Sequence, residues 1–245
     1  MTEVRGLRAR LEARVGKLFI DVDLDTGSGT LVLVGPNGAG KTSLLSLLLG
    51  VLPVERGRIT VGDVVLLDTE RRLSVPIEQR HLGYVPQDYG LFPHLTVAAN
   101  IEFALACTRP RLRRAERRQK LEAVLHELAL GSHAGRFPRA LSGGEKQRVA
   151  LARVMCVEPR ALLLDEPMAA LDVHSRREVA SSLVASLASL SLPALVVTHD
   201  PHEARALGQR VAVLEAGRIT QCGTWDELVA APRSAFVERF VGAAR

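Results

Sequence analysis

Cysteine is scarce in this chain. Its 245 residues hold three, and Cys107, Cys156 and Cys222 lie too far apart for a metal-ligand spacing. That scarcity argues against a disulfide framework and for a reduced, cytosolic setting. Long apolar runs are missing too: none approaches the ~18 residues that a membrane-spanning helix needs. If the protein works at a membrane, another chain crosses it. The first ten residues carry charges with no apolar core behind them, so no signal peptide is read there. Internal repeats and low-complexity linkers are lacking as well. The formal net charge is only +5, which permits an anionic partner without demanding one. His81, His94, His126, His133, His174 and His202 show no metal-ligand spacing. What remains is an ordinary globular composition, 47% apolar and 24% charged. The length suits one large domain or a domain with a subdomain.

Gly35-Pro36-Asn37-Gly38-Ala39-Gly40-Lys41-Thr42-Ser43 fits the phosphate-loop pattern G-x-x-x-x-G-K-[ST]. Leu31-Val32-Leu33-Val34 before it reads as a buried strand, and residues 44–49 after it read as a helix. Strand, glycine loop and helix in that order form the context the motif requires. Glycines let backbone N–H groups turn toward a polyphosphate, and the helix start adds its positive dipole end. Lys41 is expected to reach the β- and γ-phosphates, and the Thr42 hydroxyl to ligate Mg²⁺. The blander reading is a glycine-rich turn that happens to carry a lysine, and it leaves the surrounding context unexplained.

Phe19, Ile20, Val22 and Leu24 suggest one or two strands ahead of the loop, and residues 57–67 read as a hairpin turned at Gly62-Asp63. Leu82-Gly83-Tyr84-Val85 is a short strand halted by Pro86. From about residue 88 to 155 the pattern is helical. Apolar strands return at 161–164, 194–197 and 211–214. Strands alternating with helices indicate an α/β chain whose parallel sheet is covered on both faces. The helical stretch is placed as an insertion in one α/β unit.

Several inferred strands run out into polar residues. Val34 leads into the phosphate loop, Val85 toward Gln87, Leu164 into Asp165-Glu166, and Val197 into Thr198-His199. In open parallel sheets, ligands sit beyond the carboxyl ends of the strands. If these strands are neighbours, all four polar groups border one nucleotide. A lone His or Gln after a strand is more often structural than catalytic, so the argument lies in the coincidence.

Adjacent residues on extended chain point opposite ways, so Asp165 and Glu166 can do different jobs. Asp165 is assigned to Mg²⁺ and Glu166 to the water that attacks the γ-phosphate. The alternative is an acidic turn capping the next helix, with Pro167 at its first position. A second signal is Leu141-Ser142-Gly143-Gly144-Glu145-Lys146-Gln147-Arg148. Ser142 with Glu145 makes a capping box, and Gly143 and Gly144 leave N–H groups bare at a positive helix end. Two phosphate-binding helix starts beside one catalytic base suggest a head-to-tail pair, each chain's Ser142-Gly143-Gly144 closing over the other's nucleotide. An ordinary capped surface helix is the alternative.

These residues, in this order, resemble the ATP-binding subunit of ABC transporters over nearly the whole chain. The resemblance implies a P-loop NTPase core with an N-terminal antiparallel β subdomain and an inserted helical subdomain. By position it implies Gln87 as the Q-loop residue and a Mg²⁺ contact, residues 141–145 as the signature, Ala170-Leu171-Asp172 as the D-loop, and His199 as the switch histidine. Lys41, Gln87, Glu166 and His199 become the catalytic set. Two subunits are expected to sandwich ATP and drive a membrane permease from the cytoplasmic side, with an extracytoplasmic solute-binding protein acting indirectly and no nucleic acid involved. A DNA-associated ATPase of the same class is the rival.

Residues 85–97, 141–150 and 65–80 resemble binding-protein-dependent importers, and the last segment is most similar to molybdate importers. An aromatic usually precedes a glycine upstream of the phosphate loop and stacks on adenine; here Val15 precedes Gly16. Adenine is then held by apolar contact alone, or Phe19 substitutes. The sequence stops at Arg245 without the small C-terminal β-domain that many molybdate and sugar importers append. The basic stretch 109–118 reads as a solvated helix start, with a lipid-headgroup or acidic-partner contact as the alternative. Leu91, Phe92 and Leu95 are expected to be partly exposed and to form the permease contact near 87–95. Trp225 and Phe240 are expected to pack C-terminal helices.

Overall fold

The computed structural model describes residues 6–108, 112–169 and 173–244. The expected D-loop, Ala170-Leu171-Asp172, and the Arg109-Pro110-Arg111 part of the basic stretch lie outside the described residues.

β1 (Leu7–Val15) and β2 (Leu18–Asp25) pair as a hairpin, and β3 (Thr30–Val34) runs through the phosphate loop into α1 (Lys41–Leu49). β4 (Arg56–Val61), β5 (Val64–Asp68) and β6 (Leu73–Ser74) form a meander that pairs onto β1 and turns first at Gly62-Asp63. After β7 (Leu82–Val85) come α2 (Val97–Ala106), α3 (Arg114–Glu127) and α4 (Gly143–Met155). Then follow β8 (Ala161–Asp165), α5 (Val173–Leu190), β9 (Ala194–Val197) and α6 (Pro201–Leu207). The hairpin β10 (Arg210–Glu215) and β11 (Arg218–Gly223) leads to α7 (Trp225–Ala230) and α8 (Ala235–Gly242).

Among the described residues all strands join one 11-stranded sheet in the order β6-β5-β4-β1-β2-β11-β10-β3-β9-β8-β7. Only the run β10-β3-β9-β8-β7 is parallel throughout. The sequence-based expectation of a parallel sheet therefore holds for one half, and the whole sheet is mixed. The other half is built mainly from hairpins, and short turns can join only antiparallel neighbours.

Alternation along the central strands sorts their side chains into two cores. Leu31, Leu33, Leu163, Leu195 and Val197 face α1 and the inner residues of β1, β2 and β4. Val32, Val34, Leu162, Leu164 and Val196 face α2, α4, α5 and α6. Both faces of β3, β8 and β9 are covered, so none of their residues is exposed and their sequences are almost wholly apolar. The antiparallel half thus closes over α1, whose Leu44, Leu45, Leu47 and Leu48 are buried. α1 is clamped between two sheet layers, and its N-terminus is the phosphate loop.

Trp225 and Phe236 both pack on Phe240, at ring separations of 6.1 and 5.5 Å, and tie α7 to α8. α3 buries no residue, in keeping with its run of charges. Among the described residues no helix is long and apolar enough to cross a membrane.

Candidate functional site

Register places the candidate residues at one edge. Val85 lies opposite Leu164, Asp165 opposite Val197, and Leu33 opposite Val197. The carboxyl ends of β7, β8, β9 and β3 are therefore level. At ~4.8 Å per strand spacing they span roughly 15 Å. Gln87, Asp165, Glu166, His199 and the phosphate loop all leave the sheet within that width.

The phosphate loop closes on itself. Lys41, buried, donates from Nζ to the Gly35 and Pro36 carbonyls at 2.8 and 3.1 Å. Burial lowers its pKa, while Glu166 and Asp165 act in the opposite direction. Gly40 caps α1 at φ 103° with no side-chain cap, a conformation that only glycine adopts readily. A Cβ on Gly35 would lie 2.1 Å from the Leu214 carbonyl oxygen, so only glycine lets β10 come this close. Among the described residues, the N–H groups of Gly38, Gly40, Lys41, Thr42 and Ser43 have no protein acceptor. Asn37 and Ala39 complete the loop; Ala39 donates to Pro36 O and accepts from Gly217 N–H at 3.1 Å. Unmatched N–H groups at a helix start are an anion site.

Beside the loop stand the carboxylates. Burial raises the Asp165 pKa and its neighbour Glu166 raises it further, while the nearby Thr42 and Tyr84 hydroxyls act in the opposite direction. A buried carboxylate near a threonine hydroxyl, with the Gln87 amide across the same cleft, offers hard oxygen donors of the kind Mg²⁺ takes. That cleft, of about 500 Å³, is lined by Tyr84, Pro86, Gln87, Asp88, Asp165 and Ala169. Glu166 sits at φ 45°, a left-handed conformation costly for a non-glycine residue and concentrated at functional sites. Its N–H bonds the Val197 carbonyl at 2.9 Å, and its Oε1 lies 3.2 Å from His199 Nδ1. Lys41, Thr42, Asp165, Glu166, His199 and Gln87 are thus brought together.

Ser142, Gly143 and Gly144 are not part of that cluster. The C-terminal end of α4 meets the Gln87 loop: Arg153 donates to the Gly90 carbonyl and lies over the Phe92 ring at 4.7 Å. Ser142 is eleven residues earlier on the same helix, or roughly 16 Å away at 1.5 Å per residue. The capping box is formed: Ser142 N–H donates to Glu145 at 2.7 Å, and Glu145 N–H to Ser142 Oγ at 3.3 Å. The Ser142 N–H chiefly holds the Glu145 carboxyl below its usual range. The Gly143 and Gly144 N–H groups have no protein acceptor among the described residues.

Phe19 does not substitute for the missing aromatic. On β2, Leu18 and Ile20 lie against Gly40, so Phe19 projects from the opposite face. There it takes the Arg14 guanidinium over its ring at 5.6 Å. Val15 pairs with Leu18 on the phosphate-loop side.

Leu91, Phe92 and Leu95 are half-buried, with Phe103 edge-on to Phe92 at 4.7 Å and itself 48% exposed. Sequence reasoning missed Tyr84 on Asp165, His133 bonded to Glu145 at 2.6 Å, and Arg153. Each contact joins residues remote in sequence or of unremarkable type; only Tyr84, one strand position from the cleft, carries a local signal.

The ABC transporter family profile matches residues 20–169. The chain belongs to the ABC transporter family. It is 43% identical over 226 residues to the Fe(3+) ions import ATP-binding protein FbpC of Pseudomonas fluorescens, covering 92% of this chain and 62% of that one. It is 38% identical to the molybdate/tungstate import ATP-binding protein WtpC of Archaeoglobus fulgidus, covering 95% and 92%. The chain thus spans less than two thirds of the FbpC relative and nearly all of the WtpC relative. Among solved structures, cbiO1 of Clostridium perfringens, part of the ABC transporter complex cbiONQ, superposes with a TM-score of 0.80 at 26% identity. That superposition covers 93% of this chain and 92% of cbiO1.

Proposed function

We propose that this ABC family chain is the ATP-hydrolysing motor subunit of an importer. The observation that carries the reading is the level register that brings Lys41, Thr42, Asp165, Glu166, His199 and Gln87 to one sheet edge. The bare N–H groups from Gly38 to Ser43 wrap the phosphates, and Lys41 leaves the Gly35 and Pro36 carbonyls for the β- and γ-oxygens. Thr42, Asp165 and Gln87 would hold Mg²⁺, which, when bound, neutralises charge on the transferring phosphoryl group. Glu166 takes the proton of the attacking water. His199 keeps the Glu166 carboxylate oriented and faces the γ-phosphate. Val15 and Leu18 lie under the base.

Ser142, Gly143 and Gly144 start α4 at the end away from the Gln87 loop, and in this reading they do not serve their own phosphate loop. A second copy, or a paired ATPase subunit, receives them on its ATP. Residues 1–245 act as one ATP-binding domain with residues 88–155 as the helical subdomain. The half-buried Leu91-Phe92-Leu95 surface takes the permease, on the cytoplasmic side of the membrane, and the solute-binding protein acts from the other side. The solute is an oxyanion of the molybdate class: residues 65–80 and the WtpC relative support this, while the FbpC relative marks ferric ion as the competitor. The DNA-associated reading draws no support from the relatives.

Phosphate release from ATP by the purified chain tests the activity, with Lys41→Ala expected to weaken ATP binding at least tenfold, the loss of one charge-assisted contact or more. Normal ATP affinity in that variant would contradict the site. Uptake of labelled molybdate against ferric ion, in vesicles holding the chain with its permease, tests the solute; transport of ferric ion alone removes the oxyanion reading.

A further inference from the structure

Glu145 sets a carboxylate at the positive end of a helix. It is the third residue of α4, and the N–H groups of Gly143 and Gly144 just before it have no protein acceptor among the described residues. Bare N–H groups at a helix start attract anions, and this acid of the chain's own stands within one turn of them. Its capping bond from the Ser142 N–H, at 2.7 Å, uses Oε2 alone. Glutamine caps in the same way, so the cap does not account for a charged side chain here.

The other oxygen meets His133. Its Nε2 lies 2.6 Å from Glu145 Oε1, and the two side chains are only 16% and 19% exposed. A ring nitrogen and a carboxylate oxygen this close need a proton between them, so Nε2 donates. Nδ1 lies 3.0 Å from the Ser132 hydroxyl, which donates or accepts as the ring requires. His133 does not ride on α4. It ends the 3₁₀ turn Gly131–His133, and the backbone there is pinned. His133 N–H donates to the Leu130 carbonyl at 2.9 Å, and Arg136 N–H to the His133 carbonyl at 2.8 Å. The Ala134 and Arg136 carbonyls accept from Ala98 and Val97 N–H at the start of α2, at 2.9 and 2.8 Å. The imidazole is thus a fixed post against which the carboxylate is held. The Ser142 N–H first, against burial, and then His133 keep that carboxyl below its usual range.

We propose that His133 is a positioning residue that keeps Glu145 off the Gly143 and Gly144 N–H groups, leaving them open to the triphosphate held by a second copy. The inference rests on the head-to-tail ATPase reading above. Without the His133 contact, Oε1 is free to turn toward the same N–H groups, and its charge faces the arriving phosphate. In both cases the chain's own acid opposes the ligand. The opposition concerns the lid, because α4 starts at the end away from the Gln87 loop. ATP binding to a chain's own Lys41 loop is untouched, and only the pairing of two chains over it weakens.

Turnover per chain, followed against chain concentration at saturating ATP, gives the half-point of pairing. His133→Leu should raise that half-point about tenfold, the worth of one hydrogen bond to a charged group. The affinity of the dilute chain for a fluorescent ATP analogue should stay at the wild-type value. Adding Glu145→Gln should return the half-point to within about threefold of wild type, because a neutral amide neither repels a phosphate nor rivals it for N–H groups. If the contact served stability alone, both variants would melt early and the second substitution would rescue nothing. A wild-type half-point in His133→Leu, or no rescue in the double variant, overturns the role of His133 alone. Should His133→Leu not fold, His133→Gln and His133→Met decide: the first keeps a donor and must hold the wild-type half-point, and the second has none and must not. Turnover per wild-type chain that is the same at every concentration overturns the head-to-tail reading, and this inference with it.

Discussion

Replacing Glu166 by glutamine isolates the charge from everything else the residue does. The side chain keeps its length, so the 3.2 Å contact with His199 Nδ1 survives as a neutral hydrogen bond, and the φ of 45° is unaltered. The amide cannot take a proton from water. General-base catalysis contributes about 10²–10⁴-fold, equivalent to about 3–5 kcal/mol of barrier, and kcat should fall by that factor. Affinity should not fall. The N–H groups of residues 38–43 and Lys41 are unchanged, and one negative charge has left the neighbourhood of the phosphates. ATP-bound dimer should therefore accumulate, visible by light scattering after size exclusion. Glu166→Gly is the control for strain. It removes a left-handed penalty of about 1–2 kcal/mol and adds about 0.5–1 kcal/mol of chain entropy, so stability should stay within about 1 kcal/mol. That corresponds to a melting shift of no more than about 4 °C for a chain of this size, with turnover lost as in the glutamine variant. Phosphate release by Glu166→Gln within about threefold of wild type, far short of a general-base effect, would remove Glu166 from the role of base.

Gly40→Ala should cost about 1–3 kcal/mol, because φ 103° remains forbidden to it, and its Cβ would sit 2.7 Å from Leu18 Cδ2. Adding Leu18→Ala relieves the contact and not the dihedral, so melting of the double variant should stay depressed; full recovery would show that crowding alone matters there. Glu145→Gln should keep the cap on α4 and lose its titration. A carboxyl lowered in the folded state, chiefly by the Ser142 N–H, binds fewer protons folded than unfolded. Its stabilisation is full above the unfolded value near ~4.3 and is lost as pH falls through the folded value. Melting curves of Glu145→Gln should match wild type to within about 1 kcal/mol at pH 7 and fall off less steeply below pH ~4.3; parallel acid limbs would refute the assignment.

Much of the site is legible in the sequence because each part breaks a local rule. Polar residues directly after a short apolar run, as at Asp165 or Thr198-His199, mark a strand end that meets something other than core. The glycines of 35–40 mark backbone that must approach a ligand. Hairpin chemistry at Gly62-Asp63 is equally local. The mixed sheet is not legible, because alternation reports which face a residue takes and not which strand lies beside it. Nothing in the sequence places β11 between β2 and β10, or folds the antiparallel half over α1. The Phe19 alternative shows the limit well: its parity with Leu18 and Ile20 is plain in the sequence, but which parity meets Gly40 depends on how that half closes.

Arg153 on Gly90 and Tyr84 on Asp165 escape the sequence for a related reason, since both bridge about 60 to 80 positions and neither disturbs its own helix or strand pattern. Tyr89 is the extreme case. A buried aromatic satisfies every expectation of a core position, so its type betrays nothing. Only the coordinates reveal a left-handed backbone and a hydroxyl with no partner. Residues that bind the nucleotide break the apolar pattern and are found by reading. Tyr89 conforms to it, and is found only from the geometry it strains.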